Sequence, residues 1–309
     1  MRMQPSGGGR RPRVTLDQLH TFVALARFEH AGRAAEAIDL SQGAVSQQLR
    51  LLEATLDVPL FDRNRRRLRL TDAGHRIAAA AGAVLNDTRA LEELADSLRG
   101  LKTGAVSIIA TGVMGIDRLP RWIARFLEEH PAIEISMRLA NTADALAAVE
   151  DGSVDCATVG GHVHGQALET ISLGSSELMI VVARDHPLAG SPATPSALAP
   201  HRYLAREPGS ATEILAPAVL GSAYRSGLVL ELGRLEAVRA AVLAGLGYAV
   251  LPRGVIESDI EAGNIVVLPH RGKPVMQVYH GVRRRGIHTP AADALWAHLK
   301  IQAAQDAAT

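Results

Sequence analysis

Ile77, Val84, Leu91 and Leu98 recur at a strict interval of seven residues, with Ala81, Thr88 and Ala95 at the complementary positions. That spacing keeps one apolar stripe on a single side of an unbroken helix, and Thr71 stands where its hydroxyl can cap the start. A helix is therefore predicted from Asp72 to Leu101. Its stripe needs something to cover it: a second copy of the same helix, which makes the chain a dimer, or another surface of its own chain. The helix also divides the sequence into a tail (1–13), a small N-terminal module (14–71), the connecting helix (72–101) and a larger C-terminal body (102–309).

Charge follows the same division. Residues 1–76 hold thirteen Arg and no Lys against eight Asp plus Glu, a net +5, whereas the whole chain carries only +1. A basic head on a mildly acidic body suits contact with a polyanion such as nucleic acid. The longest nearly apolar run, Ile77 to Leu85, is too short to span a bilayer, and the basic N-terminus has no secretory apolar segment behind it. No membrane partner and a cytoplasmic location are expected. The single cysteine, Cys156, lies in an apolar run and reads as a small buried hydrophobe.

Within the head, Thr15 and Gln18 form a capping box, with Val14 and Leu19 spaced as a hydrophobic staple. Leu19, Phe22, Val23 and Ala26 then recur at helical spacing. A short Ala-rich helix follows over 33–38, and Asp39-Leu40-Ser41 turns into a third. There Val45, Leu49, Leu52 and Leu56 make one apolar face, leaving Gln42, Gly43, Ser46, Gln47 and Arg50 pointing away from it. Gln and Arg can each make paired hydrogen bonds to a base edge, so this side suits the major groove of a duplex; a merely solvated helix would look the same. The next segment, DRNRRRLRLT, tips the balance towards DNA, with a disordered basic loop as its alternative reading. Leu68 and Leu70 alternate as in a strand, and Arg63, Arg65, Arg66 and Arg67 gather at the tip of the implied hairpin, where guanidinium groups can hold phosphates or enter a minor groove.

From Lys102 onward, strand-like runs (106–110, 133–139, 156–159, 178–183, 229–232, 248–251) alternate with helical ones (118–130, 142–150, 212–223, 235–244). This predicts an α/β body of mainly parallel sheets flanked by helices, with enough residues for two lobes. No glycine-rich phosphate loop, GxSxG elbow, HExxH or paired Cys ligands occur, and Ser210 after Gly209 has no recognisable base or orienting acid, so no enzyme is expected. His162 and His164 have no accompanying Cys or carboxylate cluster, so neither a metal nor a cofactor is read.

The stretch TLDQLHTFVALA, followed by RAAEAIDLSQGAVSQQLRLLEATLDVPLFDRNRRRLRLTDAG, resembles the DNA-binding region of LysR-type transcriptional regulators. GAVSIIATGVMGIDRLP, AREPGSAT and ELGRLEAVRAAVLAGLGYAVLP extend that resemblance through the body. It implies a winged helix-turn-helix, a linker helix and a two-lobed domain like the periplasmic binding proteins, with a small-molecule effector held non-covalently between the lobes. It also implies double-stranded DNA as a partner, a homodimer or tetramer, and RNA polymerase as a further partner. Carried over by position, the effector site comprises Thr111, Gly112 and Val113 after the first strand, Gly160 and Gly161 at the end of another, and Gly209 and Ser210 before a helix. Exposed backbone amides and hydroxyls there suit an anion. Thr111 and Ser210 serve equally well as helix caps, and Arg206 as half of a salt bridge. Several positions depart from the family pattern: His30-Ala31-Gly32 replaces a common Ser-Phe-Thr, removing a hydroxyl that would cap the second helix; Gly43 replaces Pro or Ser; Gln47 stands where Arg is frequent. An architectural DNA protein without an effector is the competing reading, and would show little sequence preference and no stabilisation by metabolites.

Overall fold

A computed structural model describes residues 13–62, 68–98, 103–163, 165–270 and 272–308. The tail through residue 12, the hairpin tip with Arg63, Arg65, Arg66 and Arg67, the end of the linker helix from residue 99, and His164 lie outside the described residues. The chain forms two units, taken here in turn.

The head contains α1 (Leu16–Phe28), α2 (Ala31–Ala37), α3 (Gln42–Leu56) and the start of α4 (Asp72–Leu98). Each start has its own cap. Thr15 Oγ1 accepts from the Gln18 amide while Gln18 Oε1 accepts from the Thr15 amide, the reciprocal box expected. Ser41 Oγ accepts from the Ala44 amide at 3.2 Å, and Thr71 Oγ1 accepts from the Gly74 amide at 2.9 Å. At α2 the missing hydroxyl turns out to have a substitute: His30 Nδ1 accepts from the Arg33 amide at 3.3 Å. The helix therefore starts at Ala31, two residues before the expected position.

Phe22, Leu25, Val45, Leu52, Leu60 and Phe61 are buried together, with Phe22 and Phe61 meeting edge to face at 5.9 Å. After α3 the chain pairs antiparallel at Phe61 and Leu70, and the Asp62 amide donates to the Arg69 carbonyl at 2.8 Å, which forms the base of the wing. Glu53 anchors this base from the buried side of α3: its Oε1 accepts from the Leu60 amide at 2.8 Å and from the Phe61 amide at 3.4 Å. Gly74 is required where α4 crosses the wing, because a β-carbon there would collide with the Leu60 carbonyl oxygen.

The stripe on α4 divides. Ile77, Ala78 and Ala81 pack into the head core, so the first seven-residue repeat is covered by its own chain. Val84 and Leu91 are exposed, at 45% and 65%, as is Leu94. The free part of the stripe thus begins one repeat later than its spacing implied.

The body runs β1 (Gly104–Ala110), a π-helical turn (Met114–Arg118), α5 (Leu119–Glu129), β2 (Ile133–Leu139), α6 (Thr142–Glu150), β3 (Cys156–Gly160) and β4 (Leu168–Ala183), then α7 (Pro195–Leu198), β5 (Tyr203–Ala205), α8 (Ala211–Leu220), β6 (Val229–Glu231), α9 (Leu235–Leu243), β7 (Ala249–Pro252), α10 (Arg253–Glu261), β8 (Ile265–Val267), β9 (Met276–Arg284) and α11 (Pro290–Ala308). In the first lobe the order is β2-β1-β3-β9-β4, with β1 parallel to β2 and β3 and the remaining pairs antiparallel. β4 then continues into the second lobe. Its first part, Leu168 to Glu177, pairs with β9, and its last part, Leu178 to Ala183, pairs antiparallel with β7 and β8. β5 and β6 are parallel, and Tyr203 bridges to Tyr248 beside β7.

The sheets are thus mixed rather than mainly parallel. Each lobe keeps parallel neighbours, but β4 and β9 run against them because both connect the lobes instead of returning through a crossover helix. Trp122 and Phe126 of α5 join Leu295, Trp296 and Leu299 of α11 in one core; Tyr203, Val219, Leu220, Tyr248 and Leu268 belong to another. No described helix is long and apolar enough to cross a membrane.

Replacing Glu53 by Ala leaves two buried amides at the wing base without this acceptor, and each such loss costs about 1–3 kcal/mol. Glu53→Ala is expected to lower the head's stability by about 2 kcal/mol or more, read as a reduced urea midpoint by circular dichroism.

Candidate functional site

On α3 the apolar edge faces inward: Val45 and Leu52 are fully buried. Helical geometry then turns Gln42, Gly43, Ser46, Gln47 and Arg50 outward, and all five are exposed. Arg50 has no ion partner among the described residues. Gly32 shapes this surface as well, since a β-carbon there would lie 2.8 Å from Gln42 Nε2. Arg69 adds an exposed guanidinium at the wing base. The arrangement is a hydrogen-bonding helix face with cations beside it, which is what base-edge and phosphate contacts require.

In the body, the residues just beyond the carboxyl ends of β1, β2, β5 and β6 converge on one cleft between the lobes, the usual place for a ligand in α/β sheets. A cavity of about 370 Å³ opens there, lined among others by Gly112, Arg138, Asn141, Arg206, Glu207 and Arg234. An inner corner beside it is lined by Thr111, Gly112, Asn141, Ser210, Ala211 and Gln277.

Thr111 is buried, with its amide donating to the Thr158 carbonyl at 2.9 Å and its Oγ1 accepting from the Gly160 amide at 3.2 Å. Its hydroxyl proton stays available to a ligand. Gly112 turns the chain at φ +45°. Ser210 Oγ accepts from the Glu213 amide at 3.2 Å, so Ser210 is the cap of α8 and also lines the corner. Gly160 lies under that corner: a β-carbon there would stand 3.0 Å from Ala211 Cβ and 2.9 Å from Gln277 Nε2. Gly161, at φ +92°, turns the chain out of β3. Val113 instead packs into the core, and Gly209 shapes the turn before α8 at φ +84°; neither lines these two spaces.

Arg206 is buried and engaged. Its Nη2 meets Glu207 Oε1 at 2.7 Å and its Nε donates to the Gly233 carbonyl at 2.7 Å, the salt-bridge role. Behind it stands Glu213, buried on α8. This carboxylate accepts from the Tyr203 hydroxyl at 3.0 Å, the Tyr224 hydroxyl at 2.9 Å, the Arg206 amide at 3.2 Å and Arg225 Nη2 at 3.0 Å. Burial, reinforced by the neighbouring carboxylate, holds the Tyr203 phenol well above its ordinary range, so it remains a donor. Sequence reasoning missed Glu213, and with it Arg138, Asn141, Arg234 and Gln277. The available signal for Arg138, Asn141 and Arg234 is their position just past strand ends, or near the last residue of one, but only the turns after β1, β3 and β5 carry glycine and hydroxyl motifs that stand out in sequence. Cys156 is buried in β3, where desolvation pushes its thiol far up and away from reactivity.

Comparison with known proteins decides what this assembly is. Residues 16–75 match the bacterial regulatory helix-turn-helix protein, lysR family, and residues 99–304 match the LysR substrate binding domain. The chain belongs to the LysR family. Among curated relatives, it is 32% identical to the RuBisCO operon transcriptional regulator of Allochromatium vinosum, over 94% of this chain and 97% of that protein. It is 33% identical to the HTH-type transcriptional regulator YeiE of Escherichia coli strain K12, over 86% of this chain and 92% of that protein. The fold is that of a full-length OxyR variant from Pseudomonas aeruginosa (TM-score 0.74, 23% identity, 95% of each chain). CbnR complexed with its target DNA shares it as well (TM-score 0.61, 20% identity, 93% of this chain and 99% of that one). So does LysG from Corynebacterium glutamicum with bound effector Arg (TM-score 0.64, 20% identity, 94% of this chain and 98% of that one). This LysR-type protein is accordingly a DNA-binding transcriptional regulator modulated by a small-molecule effector, and not an enzyme.

Because Glu213 holds several buried donors at once, Glu213→Ala is expected to destabilise the LysR effector domain by about 3 kcal/mol. The check is urea unfolding of the full chain followed by tryptophan fluorescence, since both tryptophans, Trp122 and Trp296, lie in the body.

Proposed function

We propose that this regulator reads its operator with Gln42, Gly43, Ser46, Gln47 and Arg50 in the major groove, while Arg63, Arg65, Arg66 and Arg67 hold the flanking backbone or minor groove. The outward polar face of α3, with its apolar edge buried, carries this reading. Two copies joined along the exposed Val84 and Leu91 stripe of α4 would present two such helices to successive turns of a duplex, about 34–36 Å apart. Pairing of dimers would give a tetramer. CbnR, solved on its target DNA, supports the DNA partner, and LysG, solved with Arg, supports an effector domain that takes a small molecule.

The effector sits in the inter-lobe cleft, with an anionic group against Thr111, Gly112 and the Ser210 corner, where hydroxyl donors and the first amides of α8 converge. Gly160 and Gly161 form the floor and Gly209 sets the turn that aims Ser210. Ligand binding shifts the balance between open and closed lobes, which resets the DNA-binding heads and their contact with RNA polymerase in the cytoplasm.

The test begins with selection of a preferred duplex from genomic fragments. On that duplex, Gln47→Ala should cost about 1–3 kcal/mol and relax preference at one position, with no effect on random duplex. Arg66→Ala should weaken both duplexes alike and reduce the salt slope by about one. Equal losses from Gln47→Ala on selected and random duplexes would contradict the assignment of α3 as the reading element.

A further inference from the structure

Two of the carboxylates around the cleft have hydrogen-bonded partners and the third stands at a helix start, whereas two of the cleft's guanidinium groups have neither. Glu207 is paired with Arg206 through both of its oxygens. Asp144 accepts from Asn141 Nδ2 at 2.9 Å and lies in the first turn of α6. Glu236 lies in the first turn of α9, where a negative charge is favoured by the helix dipole. Arg138, at the end of β2 in the first lobe, and Arg234, in the second, line the same cavity of about 370 Å³, and neither has an acidic partner among the described residues.

Arg234 is also misplaced for stability. It occupies the N-cap of α9 and makes no side-chain capping bond, so a cation stands at the positive end of a helix that lacks a cap. A residue that breaks a local rule without a compensating contact points to a functional demand.

We propose that the effector of this cleft is a small molecule with two acidic groups, the second of which is clamped between Arg138 of one lobe and Arg234 of the other. The proposal rests on the effector reading above and adds the charge class of the ligand and the residues that select it. A single acid can occupy the inner corner beside Thr111 and Ser210. A diacid reaches the mouth as well, and its second group neutralises two guanidiniums that otherwise repel each other when the lobes approach. Closure is thereby coupled to the second charge.

Calorimetry and thermal unfolding of the full-length protein test this with malonate, succinate, glutarate and 3-phosphonopropionate. Propionate, butyrate and valerate serve as single-acid controls, and putrescine and lysine as amine controls. At least one diacid should raise Tm and bind about tenfold or more tightly than the matched single acid. Arg138→Gln and Arg234→Ser should each reduce its affinity toward the single-acid level. Arg234→Ser should in addition raise the Tm of the ligand-free protein by roughly 2–4 °C, because it supplies the absent cap and removes the unfavourable cation. A merely structural arginine would lower it.

Four results overturn the proposal: no diacid binds; single acids or amines bind as well as diacids; the diacid preference survives both substitutions; or Arg234→Ser lowers the ligand-free Tm. Tight binding by a single acid would leave the effector reading standing while removing the diacid clamp, whereas tight binding by putrescine would remove both. Sequence-specific DNA binding is measured without any of these ligands and fails or survives separately.

Discussion

Burial of one edge of α3 governs the DNA-binding end of this molecule. Val45 and Leu52 are wholly inside the head, among Phe22, Leu60 and Phe61, and each contributes about 1.5–3 kcal/mol by leaving water. With that edge committed, a helix has no freedom left in its rotation, and the polar residues between those positions must face out. Glu53 extends the constraint by tying the base of the wing to the same helix. The outward polar face of α3 and the base of the wing are therefore held by the same helix.

The body obeys a different constraint, since its two lobes share strands. β4 passes from the first sheet into the second, and β9 lies beside it over the first part. The ribbon is interrupted by a register shift between Ser172 and Ser175, with Gly174 at φ +92°, and Arg118 Nη1 donates to the Leu173 carbonyl within that bulge at 3.2 Å. Arg118 closes the π-helical turn that begins just past Thr111 to Val113. The segment that would feel a ligand is thus bonded directly to the strand joining the lobes. Glu213, by contrast, ties α8 to Tyr203, Tyr224, Arg225 and the Arg206 amide along one wall of the cleft.

Much of this was legible from residue spacing, for identifiable reasons. β2 and α6 have the predicted bounds, and α3 follows its Ser41 cap and carries its apolar period through to Leu56. Elements whose buried faces carry polar groups were hidden. α11 buries His298 and Gln302 beside its apolar residues, and α10 buries Asp259 against Arg239 at 2.6 Å, so neither shows a clean stripe. β9 mixes Gln277, His280 and two arginines into its alternation, and only the apolar end of β4 announced itself. In the site, contiguous motifs such as Thr111–Gly112 and Gly209–Ser210 could be read, whereas Arg138 and Arg234 line one cavity only because strands far apart in sequence end at the same cleft. The cap at His30 was missed because an imidazole nitrogen did the work usually assigned to a hydroxyl.

Hydroxyl-radical footprinting of the full-length protein on its selected duplex tests most directly whether α3 reads DNA as one of a pair. The account predicts two protected patches on one face of the duplex, centred about one helical turn, roughly 10 base pairs, apart, each covering a major groove with its flanking backbone. A single patch, or protection spread evenly along the duplex, would contradict it.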